Sequence, residues 1–290
     1  MSTPKKMLKR IDKFLTFLED RFLTEQEAPD WEQALAYRWR KQEEQGYFHP
    51  INHPHQIRLI DLQGIEQQKT ICERNTVQFL RGKPANNILL WGSRGTGKSS
   101  LIKALLNQYA QEGLRLIEVD RQDLIDLPEI VETLYQVKYR FIIFCDDLSF
   151  EQDDASYKAL KSILDGSISA APDNVLIYAT SNRRHLMPEY MSDNLQSKHV
   201  EGELHYSEAI EEKISLSERF GIWLSFYPFK QEEYLEIVEY WLEELGLTKY
   251  DKAAMRTAAL QWALARGSRS GRSAWQFARD WAGQEIFSHS

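Results

Sequence analysis

The sequence predicts an α/β fold in which a five-stranded parallel sheet is covered on both faces by helices. Short runs that are apolar throughout alternate with helical patterns, and a glycine-rich loop joins the first run to a helix. Strands buried on both faces read as continuous apolar runs, and parallel strands need crossover connections. The five runs are Ile88 to Trp91, Leu116 to Val119, Phe141 to Cys145, Val175 to Thr180 and Ile222 to Phe229.

Two amphipathic helices are predicted before this sheet. Apolar residues recur at helical spacing on both sides of Pro29, namely Leu8, Ile11, Leu15, Leu18 and Phe22, then Trp31, Leu35 and Trp39. The segment from Tyr47 to His55, with two prolines and three histidines, is typical of an extended connector. A domain boundary is therefore expected near residue 50.

After Pro228 the sequence returns to helical periodicity, with apolar residues three and four positions apart. Three helices are predicted there, over Glu232 to Leu245, Lys252 to Ala265 and Ser273 to Ile286. We therefore expect an N-terminal helical region over residues 1–50, an α/β domain over residues 51–229 and a small helical domain over residues 230–290.

Composition narrows the class of protein. The formal net charge of -7 argues against non-specific binding of nucleic acid, which would need a local basic patch. The two cysteines, Cys72 and Cys145, lack metal-ligand spacing and suit a reducing compartment. No apolar stretch has the length or the flanks of a signal peptide or of a transmembrane segment. The sequence therefore predicts a cytoplasmic protein without a membrane partner.

Residues 92–99 match the pattern G-x-x-x-x-G-K-[ST] of a phosphate-binding loop, or P-loop, between a predicted strand and a predicted helix. Glycines allow such a loop to turn its N–H groups towards phosphate oxygens at the positive end of the helix. Lys98 is expected to reach the β- and γ-phosphates of ATP, and the Ser99 hydroxyl to bind Mg²⁺. The predicted ATP-binding residues are Gly92, Ser93, Arg94, Gly95, Thr96, Gly97, Lys98, Ser99 and Ser100. The alternative is a chance glycine-rich turn.

The run from Phe141 to Cys145 is followed by two carboxylates, Asp146 and Asp147. Ligands of open α/β sheets bind at the carboxyl ends of the strands, so both side chains are expected at the site. Asp146 is expected to hold Mg²⁺, directly or through water, and Asp147 to polarise the attacking water. The alternative is a strand followed by an aspartate that caps the next helix.

Polar residues also follow the run that ends at Thr180. Asn182 would lie beside Asp146 if the two strands are neighbours, and its amide could orient the attacking water. Asparagine is also common at strand ends because it accepts turn geometry. Arg183 and Arg184 come next and could contact phosphate or nucleic acid, or form a solvated basic loop.

Two single arginines stand at informative positions. Arg219 comes just before the fifth apolar run, and Arg272 stands at the start of the last helical segment. A guanidinium group stays charged and can bind phosphate oxygens through two N–H groups at once. Either arginine could equally lie on the surface or in a salt bridge.

The order of these motifs resembles the AAA+ superfamily of P-loop ATPases, over roughly residues 61–287. The resemblance implies ATP and Mg²⁺ as ligands and a C-terminal helical lid. It also implies three catalytic roles besides that of Asp147, with Asn182 as sensor 1, Arg219 as an arginine finger and Arg272 as sensor 2.

Other strings extend the resemblance. Leu62, Gly64, Ile65 and Glu66 look like the segment that lines the adenine pocket in that superfamily. The strings Cys145 to Phe150, Thr180 to Leu186 and Ser270 to Arg272 look like an uncharacterised bacterial family of predicted ATP-binding proteins. That family name records no activity, so it adds little about biological role.

One position departs from many AAA+ motors, which have glutamate where this chain has Asp147. Proteins resembling bacterial replication initiators and helicase loaders share the aspartate. Asp is one methylene shorter, and a displacement of about an ångström can lower a rate on the order of a hundredfold. We therefore expect slow or partner-stimulated hydrolysis. The resemblance also implies that Arg219 acts on the nucleotide of a neighbouring subunit, so that the working unit is a homo-oligomer.

The resemblance implies an ATPase that couples MgATP binding and hydrolysis to remodelling or loading of a macromolecular partner, either protein or nucleic acid. A first alternative is an ATP-dependent assembly switch with little hydrolysis, which Asp147 favours. A second is a P-loop kinase, which would need neither Arg219 nor Arg272.

Overall fold

The computed structural model describes residue 13 and residues 29–42, 45–150, 155–165, 172–183 and 216–288. Apart from residue 13, the first predicted N-terminal helix, over residues 8–22, lies outside these ranges, and so does Arg184. Within them, no helix is both long enough and apolar enough to cross a bilayer.

In the described part of the chain, seven strands form one sheet in the order β2-β1-β4-β5-β6-β3-β7. The strands are β1 (Ala36–Gln42), β2 (Gln45–Pro50), β3 (Ile88–Gly92), β4 (Leu114–Glu118), β5 (Arg140–Cys145), β6 (Val175–Ser181) and β7 (Ile222–Phe226). β2 pairs with β1 in the antiparallel sense, whereas every other neighbouring pair is parallel. The sheet is therefore mixed and mostly parallel.

The prediction was wrong in the N-terminal region, where Ala36–Gln42 and Gln45–Pro50 form the strands β1 and β2 instead of part of a helix and a connector. The spacing of Trp31, Leu35 and Trp39 satisfies the two-residue period of a strand as well as the helical period. Tyr37 shares that alternation, and Tyr37 and Trp39 are each only 2% exposed. Because β1 pairs with β4 and β2 pairs with β1, the sheet has seven strands instead of five. It is not wholly parallel, because the β1–β2 pair is antiparallel.

Helices cover both faces of the sheet. They are α1 (Glu66–Leu80), α2 (Lys98–Tyr109), α3 (Leu127–Thr133), α4 (Ala155–Asp165), α5 (Gln231–Glu244), α6 (Lys252–Ala265) and α7 (Gly271–Ser288). In β3, Ile88 and Leu90 pack into the core with α1, α2 and the C-terminal helices, whereas Leu89 packs into the core with α3 and α4. This two-sided burial explains why the run is apolar throughout.

The three C-terminal helices, α5 to α7, confirm the prediction of helices there. α6 begins where its sequence favours it, because the Asp251 carboxylate accepts hydrogen bonds from the N–H groups of Ala253 and Ala254. α5 begins after Lys230, whose own N–H donates to the Glu233 carboxylate at 2.7 Å. Local capping therefore sets the start of two of these helices.

A buried carboxylate ties the C-terminal helices to the segment before α1. Asp61 is 7% exposed and accepts hydrogen bonds from the Tyr240 hydroxyl of α5 at 2.8 Å and from the Arg58 guanidinium at 2.6 Å. Arg58 also binds Glu244 of α5, at 2.6 Å. Burial acts to raise the pKa of Asp61, but the hydrogen bonds from Arg58 and Tyr240 prevail and hold that pKa below its usual value.

Replacing Tyr240 by Phe should lower the free energy of unfolding by about 1 kcal/mol, because the buried Asp61 loses one donor. Urea unfolding at pH 7 measures this change. Tyr227 is 64% exposed, so Tyr227→Phe is a control that should leave stability unchanged. Equal effects of the two substitutions would contradict the prediction.

The same carboxylate predicts a pH dependence. Because the pKa of Asp61 is lowered in the folded state, its ionised form stabilises the fold above the pKa of the unfolded chain. That stabilisation is lost as the pH falls through the folded-state pKa. The stability difference between the parent and Asp61→Asn should therefore shrink in acid, as urea unfolding between pH 7 and pH 3 would show.

Candidate nucleotide-binding site

Three neighbouring strands bring the loop, Asp146, Asp147 and Asn182 to one edge of the sheet. β5, β6 and β3 are adjacent and parallel, so their carboxyl ends meet. β3 leads into the loop at Gly92, β5 into Asp146 and Asp147, and β6 into Asn182. Asn182 was expected to lie beside Asp146 if their strands are neighbours, and β5 and β6 are neighbouring strands.

The loop has a backbone that only glycine accommodates at its first position. Gly92 has a φ of 127°, and a Cβ placed there would lie 2.0 Å from the Phe226 carbonyl oxygen of β7. The next residue, Ser93, donates its N–H to the same oxygen at 2.9 Å. Gly95 and Gly97 also have positive φ, 75° and 103°. Close contact with β7 therefore explains the glycine with which the motif begins.

The first turn of α7 lies against the loop. The N–H of Arg272 donates to the Gly95 carbonyl oxygen at 3.1 Å. A Cβ on Gly95 would lie 2.9 Å from the Ser270 hydroxyl and 3.2 Å from the Arg272 Cβ. The structure thus places the backbone and the Cβ of Arg272 against the loop.

Lys98 is 7% exposed, and its ammonium group donates to the carbonyl oxygens of Gly92 and Ser93 at 2.7 Å each. A longer bond of 3.3 Å reaches the Asn182 side-chain oxygen. Burial lowers the pKa of Lys98 to about 8, although Asp147 and Asp146 act in the opposite direction. A phosphate beside this lysine would stabilise the charged ammonium form, which burial disfavours.

Ser99 and Asp146 provide the two kinds of oxygen that Mg²⁺ prefers. The Ser99 hydroxyl donates to the Asp146 carboxylate at 2.6 Å, so hydroxyl and carboxylate are adjacent next to the loop. Asp146 and Asp147 are both exposed, which leaves room for the waters that Mg²⁺ usually keeps. These residues therefore fit an Mg²⁺ ion bound together with phosphates.

Asp147 has an unusual backbone, with a φ of 52°. Its N–H donates to the Thr180 hydroxyl at 2.9 Å, and its carboxylate accepts a short hydrogen bond from the Asn182 side-chain amide. Since Asn182 also reaches Lys98, this single side chain connects the end of β5 to the loop.

Arg219 is the predicted site residue that the structure does not bring to the loop. It precedes β7, which is parallel to β3, so it lies at the opposite edge of the sheet from Gly92. There it forms an ion pair with Asp165 at the end of α4. Arg183 is exposed beside Asn182, with its N–H bonded to the Ser181 hydroxyl at 3.1 Å.

An apolar wall flanks the loop on the side of the segment before α1. A Cβ on Gly97 would lie 3.4 Å from Ile65 and 3.9 Å from Leu62. Gly64, with a φ of 76°, packs against Phe229. This is the segment whose sequence resembles an adenine pocket.

Sequence reasoning missed two hydroxyl residues at this site, Thr180 and Ser270. Thr180 bonds to both Asp146 and Asp147, and Ser270 contacts the loop at Gly95. The signal for Thr180 was a hydroxyl side chain at the end of an otherwise apolar run. Ser270 belongs to the string Ser270 to Arg272 noted above, but nothing in that string indicates its contact with Gly95.

Comparisons with known proteins identify the family and the fold of this chain. Residues 32–285 match the family described as "Protein of unknown function (DUF815)", and no curated protein matches the chain in sequence. The structure is similar to that of the Thermotoga maritima RuvB Holliday junction branch migration motor, with a TM-score of 0.50 and 17% identity. That match covers 77% of this chain and 63% of the RuvB chain.

The structure is also similar to that of the Aeropyrum pernix Orc1 protein in complex with DNA, with a TM-score of 0.52 and 18% identity. This match covers 74% of this chain and 58% of the Orc1 chain. The chain thus spans less than two thirds of either protein. At these identities the likeness shows the fold, a mostly parallel α/β sheet resembling that of AAA+ proteins.

Replacing Gly92 by Ala should destabilise the protein by more than about 4 kcal/mol, because the clash with Phe226 involves backbone that cannot move aside. Gly246 is the matched control, since its φ is 83° and a Cβ there would meet nothing within 4 Å. Gly246→Ala should cost only about 1 to 2 kcal/mol for the backbone conformation. Comparable losses in urea unfolding would show that the Phe226 contact is unimportant.

Proposed function

This chain is a member of the DUF815 family with an AAA+-like fold, and from that premise we propose that it is an ATPase that binds and hydrolyses MgATP. The observation that carries the proposal is the hydrogen-bonded set at one edge of the sheet. Side-chain hydrogen bonds join Lys98 to Asn182 and Asn182 to Asp147, and another joins Ser99 to Asp146. The Thr180 hydroxyl connects the two groups, because it bonds to the Asp146 carboxylate and to the Asp147 N–H.

The loop would bind the phosphates of ATP. Its N–H groups lie at the amino end of α2, where the helix dipole favours anions, and Lys98 adds a cation. Arg94 and Arg272 are close enough to act on the Lys98 charge, so further positive charge surrounds the loop. Ser99 and Asp146 would hold Mg²⁺, which supplies neutralisation of charge on the phosphate oxygens.

Asp147 and Asn182 would position the attacking water. The Asp147 carboxylate can accept a proton from that water, and the Asn182 amide fixes the direction of the carboxylate. Because Asp is shorter than Glu, we propose that unassisted turnover is slow.

Arg219 would act in trans, on the nucleotide of a neighbouring subunit. Within its own chain it lies at the edge of the sheet opposite Gly92, too distant to contact the same nucleotide. The proposed working unit is therefore a homo-oligomer in which each site has residues from two chains.

The partner is proposed to be a macromolecule that the oligomer remodels or loads. RuvB is described as a Holliday junction motor, and the Orc1 structure contains DNA, so DNA is the first partner to test. The proposed division keeps a nucleotide-binding unit over residues 51–229 and a helical lid over residues 230–290, with the strands of residues 36–50 added to the sheet of the former.

The assembly switch with little hydrolysis is the second candidate function. The hydrogen bond between the Asp147 carboxylate and Asn182 favours it, because that carboxylate must release this partner or share it with water before it can activate water. Phosphate release measured with and without DNA distinguishes the two functions.

Lys98→Ala should weaken ATP binding at least about a hundredfold, because the buried ammonium group is the main cation at the loop. Asp147→Asn should bind MgATP as the parent does and hydrolyse it on the order of a hundredfold more slowly, since an amide cannot take up a proton. Calorimetry and phosphate release are the measurements. Unchanged nucleotide affinity in Lys98→Ala would refute the loop assignment.

Mixing two inactive variants tests Arg219. Arg219→Ala should bind ATP but hydrolyse it on the order of a thousandfold more slowly, whereas Lys98→Ala should lack bound nucleotide. In mixed oligomers some interfaces pair an intact loop with an intact Arg219, so activity should return. If light scattering shows mixed oligomers that stay inactive, Arg219 is a structural residue.

A further inference from the structure

Thr180 is a buried hydroxyl residue that contacts both carboxylate residues at the end of β5. It is 1% exposed and lies in β6, directly beside β5. Its hydroxyl donates to the Asp146 carboxylate at 2.5 Å, and the same oxygen accepts the Asp147 N–H at 2.9 Å. One side chain thus bonds to two consecutive residues with different proposed roles.

The direction of these two bonds is fixed. An N–H group can only donate, so the Thr180 oxygen is the acceptor for Asp147 and its single proton is available for Asp146. The Asp146 oxygen that accepts it is also the one that accepts the Ser99 hydroxyl. Ser99 and Thr180 therefore hold this carboxylate from two sides, one from the loop and one from the sheet.

The bond to Asp147 supports a backbone conformation that is costly for a residue with a side chain. A φ of 52° is in the left-handed region, which is unfavourable for most residues other than glycine. The neighbouring backbone is held as well, because the Leu148 N–H donates to the Thr180 carbonyl oxygen at 2.7 Å. The Ser181 hydroxyl in turn donates to the Leu148 carbonyl oxygen at 2.7 Å. β6 therefore determines the shape of the turn after β5.

We propose that Thr180 is a positioning residue for the reaction, one that orients Asp146 towards Mg²⁺ and holds Asp147 in the conformation that directs its carboxylate to Asn182. This inference rests on the proposed function and adds to it the group that couples the metal ligand to the water-activating residue. Thr180 does not itself contact the nucleotide in this scheme, because its hydroxyl is occupied by Asp146 and Asp147.

Thr180→Val and Thr180→Ser separate the hydroxyl from the methyl group. Valine keeps the branched shape but removes both hydrogen bonds, whereas serine keeps the hydroxyl. Thr76→Val is the matched control, since Thr76 is 0% exposed and its hydroxyl bonds to the Cys72 carbonyl and the Tyr178 hydroxyl, away from the loop. Thr76→Val therefore reproduces the loss of a buried hydroxyl without touching the site.

Three quantities are measured on the full chain with a fluorescent ATP analogue. The first is the affinity for the analogue without metal, and the second is the Mg²⁺ concentration that gives half of the metal-dependent change in fluorescence. The third is the rate of phosphate release in the presence of Mg²⁺. For Thr180→Val we expect metal-free affinity within about twofold of the parent and a Mg²⁺ requirement raised about tenfold, as for one hydrogen bond to a charged group. Turnover should fall on the order of a hundredfold. Thr180→Ser and Thr76→Val should stay within about threefold of the parent in all three quantities.

Three outcomes would overturn the proposal. If Thr76→Val shifts the Mg²⁺ requirement as much as Thr180→Val does, Thr180 contributes only to stability. If Thr180→Ser behaves as Thr180→Val does, the Thr180 hydroxyl is not the group that orients Asp146 and Asp147. A parent protein that binds the analogue but releases no phosphate refutes only the proposed hydrolysis, because the Mg²⁺ requirement still tests Thr180. A parent protein that shows no metal-dependent binding refutes both.

Discussion

The position of β6 between β5 and β3 is the constraint on which the rest of the structure depends. Each residue at its carboxyl end bonds to a neighbour, Thr180 to the two aspartates, Ser181 to Leu148 and Asn182 to Lys98 and Asp147. Further back along the strand, the buried Tyr178 hydroxyl bonds to α1 through Asn75 and Thr76. β6 is therefore anchored to the helix layer as well as to both neighbouring strands.

The charges at this edge are arranged with the cation inside and the anions outside. Lys98 is buried and held by fixed backbone carbonyl groups, so its position changes little with solvent. Asp146 and Asp147 are exposed and are oriented by hydroxyl and amide groups of β6. A bound phosphate would thus meet a preorganised cation, whereas a metal ion would meet carboxylates that water can still reach. The buried lysine therefore suits a phosphate, and the exposed aspartates suit a metal ion that keeps some of its water.

Much of the fold was predictable because each central strand is buried on both faces and its sequence shows it. β1 was not predictable in this way, because the spacing of Trp31, Leu35 and Trp39 fits both the helical period and the two-residue period of a strand. Only the pairing of β1 with β4 decides between a helix and a strand. The loop motif identified Lys98 and Ser99 without reference to the rest of the chain. The placement of Ser270 depends on tertiary packing, so no local pattern could reveal it.

The backbone bond between Arg272 and Gly95 bears on how the protein is made. A ribosome synthesises a chain from its N-terminus, so the loop emerges well before Phe226 and Arg272, two residues whose backbone groups bond to it in the folded protein. Contacts that are distant in sequence form late, because the intervening chain must first be ordered. A nascent chain that has reached β7 but not α7 would carry the strands of the sheet around an unfinished loop. The site can therefore be complete only after the first turn of α7 has been synthesised, although most of the residues that form it are made much earlier.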